Sequence, residues 1–312
     1  MPVPALSKHT AVGIALQTAY NTPNVAGIQW AAIDAEMNFQ EQLNFAVLDQ
    51  GDMSDWEYDA WTPGTHYQGN IPFSAIPSMM STYAAWCLER DSYNQPTYAT
   101  IAFYDDKRGG PIAVQDCVVS QVTWTFNKRA AVTQAITAFG RKEASSAPSI
   151  PTPADVVRGM PYVCKEITVQ VDFGSGYVTV ADFESLTIVV DTLAENPDEG
   201  FRLESSGHPH TMYTLGGIRV SGNMTRDYVD DSFREIISAM RDGAVGDFSS
   251  RIAIKVTATR GASSCTWEMP YVQFMNWEAP FPGNSTSRRQ EAIEYRAFTG
   301  ADGTEAPLTI TA

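Results

Sequence analysis

The chain has 312 residues, of which 44% are hydrophobic and 11% aromatic, so it can build a folded core and is not intrinsically disordered. Asp and Glu number 36 against 21 Lys and Arg, for a formal net charge of −15. Because affinity for phosphates comes from clustered basic side chains, this balance excludes a basic nucleic-acid reader. The N-terminus lacks a secretory signal pattern and no apolar run is long enough to span a bilayer.

The first half is predicted to contain strands around one helix. A strand-like stretch from Ile28 to Phe45 precedes a predicted long loop, Asp49 to His66, and a further strand ends at Gly69-Asn70. The apolar spacing then changes to that of a helix, predicted from Ile76 to Glu89. Three more strands are predicted from their apolar residues, at Thr100–Tyr104, Ile112–Phe126 and Ala131–Phe139.

The predicted first loop combines acidic with aromatic side chains, namely Asp52, Asp55, Trp56, Glu57, Asp59 and Trp61. The spacing of a calcium-binding loop, with its central Gly and terminal Glu, is absent. Aromatic residues dominate interface hot spots, so the loop is a candidate assembly contact. The alternative is that Trp56 and Trp61 pack beneath the loop.

The second half shows a cleaner pattern of the same kind. Ile167 to Phe173 alternates between apolar and polar residues, and a second extended stretch runs from Val178 to Val190. A predicted long loop, Asp191 to Thr211, leads to a strand that reaches Gly222-Asn223. The apolar stripe of Phe233, Ile236, Ile237 and Met240 then predicts a helix. The remaining predicted strands are Ile252–Val256, one through Trp267 and Tyr271, and Ala292–Phe298.

The second loop offers four candidate assembly residues, Asn196, Phe201, His208 and His210. Two histidines near each other could suggest a metal site, but no further ligands stand in a matching frame. Pro209 between them is typical of a plain loop, which is the favoured interpretation.

The two halves repeat one pattern. The junctions Gly69-Asn70 and Gly222-Asn223 lie about half a chain apart, and Trp124 and Trp277 keep the same separation. With the shared order of elements, this favours a tandem duplication. The predicted domains are residues 1–143 and 160–312, joined by an Ala-, Ser- and Pro-rich linker, 144–159.

A β-rich unit with one helix, a long early loop and Gly-Asn before the helix resembles the phage tail tube proteins. The resemblance covers most of the chain and is best in three stretches that read F-E-S-L-T-I-V-V-D from Phe183, I-R-V-S-G-N from Ile218 and E-Y-R-A-F-T-G from Glu294. The opening Ala11–Ala15, followed by Tyr20-Asn21-Thr22, is similar to two-domain tube proteins of long non-contractile, siphovirus-type tails.

The resemblance implies a mainly β (α+β) chain with two β-sandwich or barrel domains, each flanked by one helix. It implies stacked hollow rings, with three chains forming a pseudo-six-fold ring around a conduit for DNA ejection into the host. The implied partners are further copies of the chain, a tape measure protein, a tail terminator and a tail-tip initiator, while DNA passes without specific binding and no membrane is involved. The implied location is the virion, after assembly in the host cytoplasm, with no cofactor and no metal.

Two other functions remain open from the residues alone. No nucleophile elbow, metalloprotease, P-loop or dinucleotide-binding motif is present, so no enzyme is predicted. A β-sandwich that binds carbohydrate or a receptor at the tail would use the Trp56 and Trp61 loop as an aromatic site. The tube of a related bacterial secretion system would share the fold.

Overall fold

The computed structural model describes residues 10–31, 33, 36–49, 57–105, 111–144, 159–202, 207–241, 252–279, 289–300, 303 and 305–312. The strands of the first half are β1 Thr10–Leu16, β2 Gln29–Ala31, β3 Gln40–Asp49, β4 Glu57–Ile71, β5 Ala99–Asp105, β6 Ile112–Asn127, β7 Thr133–Gly140 and β8 Lys142–Glu143. The strands of the second half are β9 Ile167–Asp172, β10 Tyr177–Thr179, β11 Phe183–Asp191, β12 Arg219–Asp227, β13 Ile252–Arg260, β14 Ser263–Glu278, β15 Gln290–Ala297 and β16 Thr309–Thr311. The helices are α1 Met80–Leu88, entered through a 3-10 turn at Pro77–Met79, and α2 Ser232–Arg241.

The protein is mostly β, as predicted, and all the strand pairings are antiparallel. The sixteen strands belong to one sheet, which runs from β10 at one end to β2 at the other. Among the described residues this sheet does not close on itself. The described strands therefore do not form a closed barrel. Instead, the sheet continues from one half of the chain into the other.

The order of pairing in one half matches the order in the other. In the first half the succession is β2-β1-β5-β6-β7-β4-β3, with β8 also on β6. In the second half it is β10-β9-β13-β14-β15-β12-β11, with β16 also on β14. Both helices lie between corresponding strands of the chain, α1 between β4 and β5 and α2 between β12 and β13.

In two pairs of corresponding ladders, the irregularities of the two halves also lie in matching places. The β6–β7 ladder shifts register between Val119 and Gln121, and the β14–β15 ladder shifts between Phe274 and Asn276. The β5–β6 and β13–β14 ladders both skip one position near the start of β5 and of β13. Bulges re-aim the local strand and are features of a fold rather than defects.

A large hydrophobic core runs through both halves, from β1 to the segment before β16. The buried face of α1 includes Met80, Tyr83, Trp86 and Cys87, in agreement with its predicted apolar stripe. Trp86 Nε1 donates to the carbonyl of Cys117 at 3.0 Å, which ties α1 to β6.

The helix α2 docks through three residues of its predicted stripe, while the side chain of the fourth, Met240, lies outside those that the structure describes. Phe233 is buried and its ring meets the rings of Phe173 and Phe274 at centroid distances of 5.3 and 5.5 Å. Ile236 and Ile237 pack against the core at its edge. Asp230 accepts from the backbone N–H of Ser232 at 3.1 Å, which satisfies a free donor at the start of the helix.

Three predictions are wrong in detail. The stretch Ile28–Phe45 is not one continuous strand, because β2 ends at Ala31 and β3 begins at Gln40. The segment Asp49–His66 is not a long loop, because residues 57–66 belong to β4 and pair with β3 in a hairpin. Gly222-Asn223 is not a strand-to-helix junction, because it lies inside β12, whose last residue is Asp227. Gly69-Asn70 does lie at the end of β4, as predicted.

Candidate assembly surface

The two halves are joined by a pairing between β6 and β11, called here the β6–β11 joint. Its register runs antiparallel from Ser185 opposite Asn127 to Asp191 opposite Gln121. Three buried aliphatic side chains of β11 face three buried side chains of β6, in the pairs Leu186–Phe126, Ile188–Trp124 and Val190–Val122. Burial of side chains of this size contributes about 1.5–3 kcal/mol each.

Polar contacts extend the joint at both ends. The backbone N–H of Thr192 donates to the Ser120 carbonyl at 3.0 Å, and the Thr192 hydroxyl donates to the Val119 carbonyl. At the other end the Lys128 backbone N–H donates to the Glu184 carbonyl at 2.8 Å, and their side chains form an ion pair. Edge strands present unpaired backbone groups that another strand can complete, and this joint uses that capacity within one chain.

The second predicted loop is folded back onto the first half, where it meets the strand that replaces the first predicted loop. The Thr65 backbone N–H on β4 donates to the Gly207 carbonyl at 2.8 Å. His208 Nδ1 lies 3.2 Å from Thr65 Oγ1. A Cβ at Gly64 would lie 2.3 Å from the Phe201 ring, so the absence of a side chain there lets Phe201 lie against β4.

A polar cluster around Asp116, called here the clasp, fastens the same loop. The Asp116 carboxylate is buried and accepts from the backbone N–H of Asn21 at 2.7 Å and from Gln115 Nε2 at 2.9 Å. Arg141 approaches the carboxylate at 3.3 Å and donates from Nε to the carbonyl of Pro209 at 2.7 Å. The clasp therefore links β6 and the β1–β2 connection to the loop of the second half.

Two tyrosines complete the clasp. The Tyr20 hydroxyl donates to the His210 carbonyl, and the guanidinium of Arg141 lies over the Tyr20 ring at 5.2 Å. The Tyr98 hydroxyl donates to the Met212 carbonyl at 2.7 Å. Burial raises the pKa of Tyr20 to about 12, because the ionised phenolate would lose solvation, and the nearby Arg141 offsets this only in part.

The predicted site residues are thus distributed over several roles. Phe201, His208 and His210 meet the first half, whereas Asn196 accepts from the Asp198 backbone N–H at 3.2 Å and starts the short turn Pro197–Gly200. Glu57, Asp59 and Trp61 lie on β4, opposite Asp49, Leu48 and Ala46 of β3. Asp52, Asp55 and Trp56 lie outside the described residues.

The glycines of the two predicted junctions are required by close approach of a neighbouring strand. At Gly69, whose φ is +149°, a Cβ would lie 2.3 Å from the Asn38 carbonyl oxygen. At Gly222 it would lie 2.0 Å from the Thr187 carbonyl oxygen and 2.4 Å from the Tyr295 hydroxyl. Each glycine therefore allows its own strand to lie close to the neighbouring strand, which is β3 for Gly69 and β11 for Gly222. Neither glycine marks the start of a helix.

Several strand edges have no partner among the described residues, including the outer edges of β2 and β10 at the two ends of the sheet. Two more lie on β3 and β14. One is the outer edge of β3, which pairs only with β4. The other is the last part of β14, where β15 pairs on one side and the β13 ladder has already ended at Val272. Leu43 on β3 is 49% exposed and Met275 on β14 is 52% exposed.

Sequence reasoning missed the residues of the clasp and these two edge residues. Tyr20-Asn21 was visible as part of a family-like opening, but nothing in sequence links it to Asp116 or Arg141, which lie far along the chain. Leu43 and Met275 are ordinary apolar residues in sequence, and only their exposure marks them.

Two kinds of feature are absent from the described residues, a metal-binding cluster and a membrane-spanning helix. In the described part of the chain, no group of three or more His, Cys, Asp or Glu residues is arranged to hold a metal ion. No helix among the described residues is long and apolar enough to cross a membrane.

Comparison with known proteins gives the family. The model of the phage tail tube protein family matches residues 10–312. A solved structure of the anti-feeding prophage baseplate, determined by cryo-EM with six-fold symmetry, is similar at 9% sequence identity and a TM-score of 0.33, covering 54% of this chain and 98% of that one. No curated protein sequence matches. Because the family match extends over nearly the whole sequence, the chain belongs to the phage tail tube protein family and is a structural protein of the phage tail.

Proposed function

We propose that this protein is the major tail tube subunit of a phage with a long non-contractile tail, and that three chains form each ring of the tube. Each chain would contribute two equivalent units, so that three chains give a pseudo-six-fold ring. Stacked rings would enclose the channel through which DNA is ejected into the host. The observation that carries the proposal is the β6–β11 joint, in which one unit already continues the sheet of another.

A tandem duplication supports the proposed ring. The two halves share their order of strand pairing and the positions of the bulges in two pairs of corresponding ladders. Units 1–143 and 160–312, joined by 144–159, are therefore proposed to derive from one ancestral domain.

The outer face of the central strands suits a channel lining. Opposite the buried face, β6, β11 and β12 present small polar side chains, including Thr123, Thr125, Thr187, Ser221 and Asn223. Hydroxyl and amide groups without a cluster of Lys or Arg give phosphates little to bind. We propose that this face lines the channel and that DNA passes it without specific contacts.

The proposed tube needs other tail proteins to fix its length and ends. A tape measure protein, a tail terminator and a tail-tip initiator are the partners proposed on the basis of family membership. The proposed place of assembly is the host cytoplasm, and the tube remains in the virion.

The test is negative-stain electron microscopy of the purified protein at high concentration, with the mass of the smallest assembled species measured in parallel. Hollow tubes built from three-chain rings are the expected result. Rings of six chains would overturn the proposed stoichiometry. A monomer that neither polymerises nor adds to purified tail tips of the same phage would overturn the proposed function itself.

A further inference from the structure

Among the described residues, the unpartnered edges of β3 and β14 are the counterparts of the two edges that pair in the β6–β11 joint. In the shared order of pairing, β3 corresponds to β11. Each of them pairs antiparallel with the strand that carries the Gly-Asn sequence, which is β4 in the first half and β12 in the second. In the same order β14 takes the place of β6. The chain therefore carries one completed joint and the two separated halves of a second.

The matching sides of these strands are also the free ones. Both β7 and β11 pair with the same residues of β6. They must therefore lie on opposite edges of that strand. On β14 the corresponding edge, opposite β15 and beyond the end of β13, has no partner among the described residues. On β3 the edge away from β4 is likewise unpaired in the part of the chain that the structure describes.

We propose that neighbouring chains are joined by this second pairing, in which β3 of one chain lies antiparallel to the last part of β14 of the next. The inference rests on the proposed ring and names its partner surface, a second copy of this chain. Because the two surfaces differ, the contact is head-to-tail, and repetition of such a contact gives a closed ring when the rotation closes. The intrachain joint supplies the geometry for the contact between chains.

The register of this contact follows from two structural anchors. Ile188 pairs with Gly222, and the β3–β4 ladder, extended by one residue from Gln40–Gln68, sets Phe39 opposite Gly69. If Phe39 is the counterpart of Ile188, then Leu43 is the counterpart of Thr192. The bulge residue Ser120 on β6 corresponds to the bulge residue Met275 on β14.

This register places Leu43 opposite Met275, two exposed apolar residues of the free edges. Thr192 donates its backbone N–H to the Ser120 carbonyl in the intrachain joint. The same bond between chains would run from Leu43 to the Met275 carbonyl and set the two side chains against each other. Each is about half exposed in the single chain.

Neighbouring positions in the register are compatible with pairing. Gln42 falls opposite Asn276, and Gln40 falls opposite Glu278. Amide side chains can donate to a carboxylate or to another amide across a strand pair. No pair of like charges is set face to face at these positions.

The test is a disulfide between chains. Paired residues on adjacent strands have Cα separations of roughly 4.5–5.5 Å, within the range that a disulfide accepts. Leu43→Cys and Met275→Cys are combined in a Cys164→Ser background, because Cys87, Cys117 and Cys265 are buried. After oxidation of assembled tubes, a non-reducing gel is expected to show covalent species of up to three chains and none larger.

The matched control combines Leu43→Cys with Val178→Cys, which lies on β10 and is 57% exposed. This pair is expected to leave single chains after the same oxidation. Tubes that form from the Leu43→Cys/Met275→Cys protein but yield no crosslink would overturn the proposed joint and leave the tube function standing. If the wild-type protein forms no tubes and adds to no tail tips, the proposed function is wrong, and the proposed joint between chains is refuted with it.

A charge exchange provides a second test that does not depend on oxidation. Leu43→Lys with Met275→Lys sets two like charges together and is expected to reduce tube formation at least tenfold. Leu43→Lys with Met275→Asp is expected to restore it, because the pair then attracts. Equal tube yields from the two variants, with wild-type melting temperatures for both, would refute the register.

Discussion

Asp116 shows how a single residue can fix a surface that sequence patterns do not reveal. Its carboxylate is buried and its backbone φ is +55°, a conformation that is costly for most residues but tolerated by Asp and Asn. It accepts hydrogen bonds from the β1–β2 connection and lies beside Arg141, which in turn holds the second-half loop. A buried charge of this kind is tolerable only because its partners are in place.

Replacing Asp116 by Ala is expected to lower the free energy of unfolding by about 3–5 kcal/mol, because Arg141 and several N–H donors lose their acceptor. Asp116→Asn keeps the size and the tolerance for positive φ, so its cost should be clearly smaller. Urea unfolding measures both. Proteolysis at residues 193–214 should accelerate in the Ala variant, and an unchanged cleavage rate would argue against the clasp as the element that holds the loop.

Glu166 gives the chain a predictable response to acid. Hydrogen bonds from the Arg260 side chain and from the Val163 backbone hold the pKa of this carboxyl below its usual value. A lowered folded pKa means that the stabilisation is present above the unfolded pKa and is lost as the pH falls through the folded value. We expect the melting-temperature difference between wild type and Glu166→Gln to be largest near neutral pH and to shrink below about pH 4.5.

The control for this prediction is Glu305→Gln, which removes an exposed carboxylate. Its melting temperature should stay close to that of the wild type across the same range of pH. A Glu166→Gln difference that grew as the pH fell would contradict the assigned hydrogen bonds.

The β3–β4 hairpin shows why one element was predicted wrongly. Pro63-Gly64 in an acidic segment is typical of a loop. In the structure the β3–β4 register shifts between Gly64 and Trp61, so Pro63 falls within the irregularity. Proline in a strand is tolerated at such a place because no ladder hydrogen bond depends on its missing N–H. The shift depends on β3, which local sequence does not show.

The two helices and most strands could be predicted because their signals are local. Apolar residues at helical spacing mark the buried faces of α1 and α2, and alternation marks β9, β11 and β15. The β6–β11 joint could not be predicted, since it pairs residues of opposite halves. The sequence of either strand is equally compatible with other partner strands. The clasp was hidden for the same reason, being built from three separated segments.

Gly222 tests how tightly the strands around the joint are packed. An Ala Cβ there would overlap the Thr187 carbonyl oxygen, which is backbone, and would displace the Tyr295 hydroxyl from that same oxygen. We expect Gly222→Ala to destabilise the chain by about 1–3 kcal/mol, the usual cost of overpacking. Gly217→Ala, where nothing lies within 4 Å, is the matched control and should change the free energy of unfolding little.

Denaturant unfolding of the two glycine variants decides the point. Equal midpoints would mean that β11 and β12 can separate to admit a methyl group. The sheet would then be more adaptable around Gly222 than the close approach of Thr187 and Tyr295 indicates.

At the scale of the whole molecule, the proposed duplication would explain why one chain contains both a completed joint and the two free edges of another. A single-unit chain would expose both edges of its sheet and need identical neighbours on each side. With two units linked in one chain, half of the required joints form within the chain and avoid the entropic cost of association. Closure of each ring would then depend on one kind of contact, between β3 and β14.

The net charge of −15 predicts how the assembly depends on salt concentration. Like-charged chains repel, and the repulsion between exposed charges is screened as the Debye length falls from about 10 Å at 0.1 M salt to about 3 Å at 1 M. The proposed contact consists of backbone hydrogen bonds and the apolar pair Leu43–Met275, neither of which salt weakens appreciably. Raising NaCl from 0.05 to about 0.5 M, a range over which this screening develops, should therefore increase the yield of tubes measured by sedimentation. A yield that falls with salt would mean that attractive ion pairs dominate the contact between chains, and the β3–β14 pairing alone would then not account for assembly.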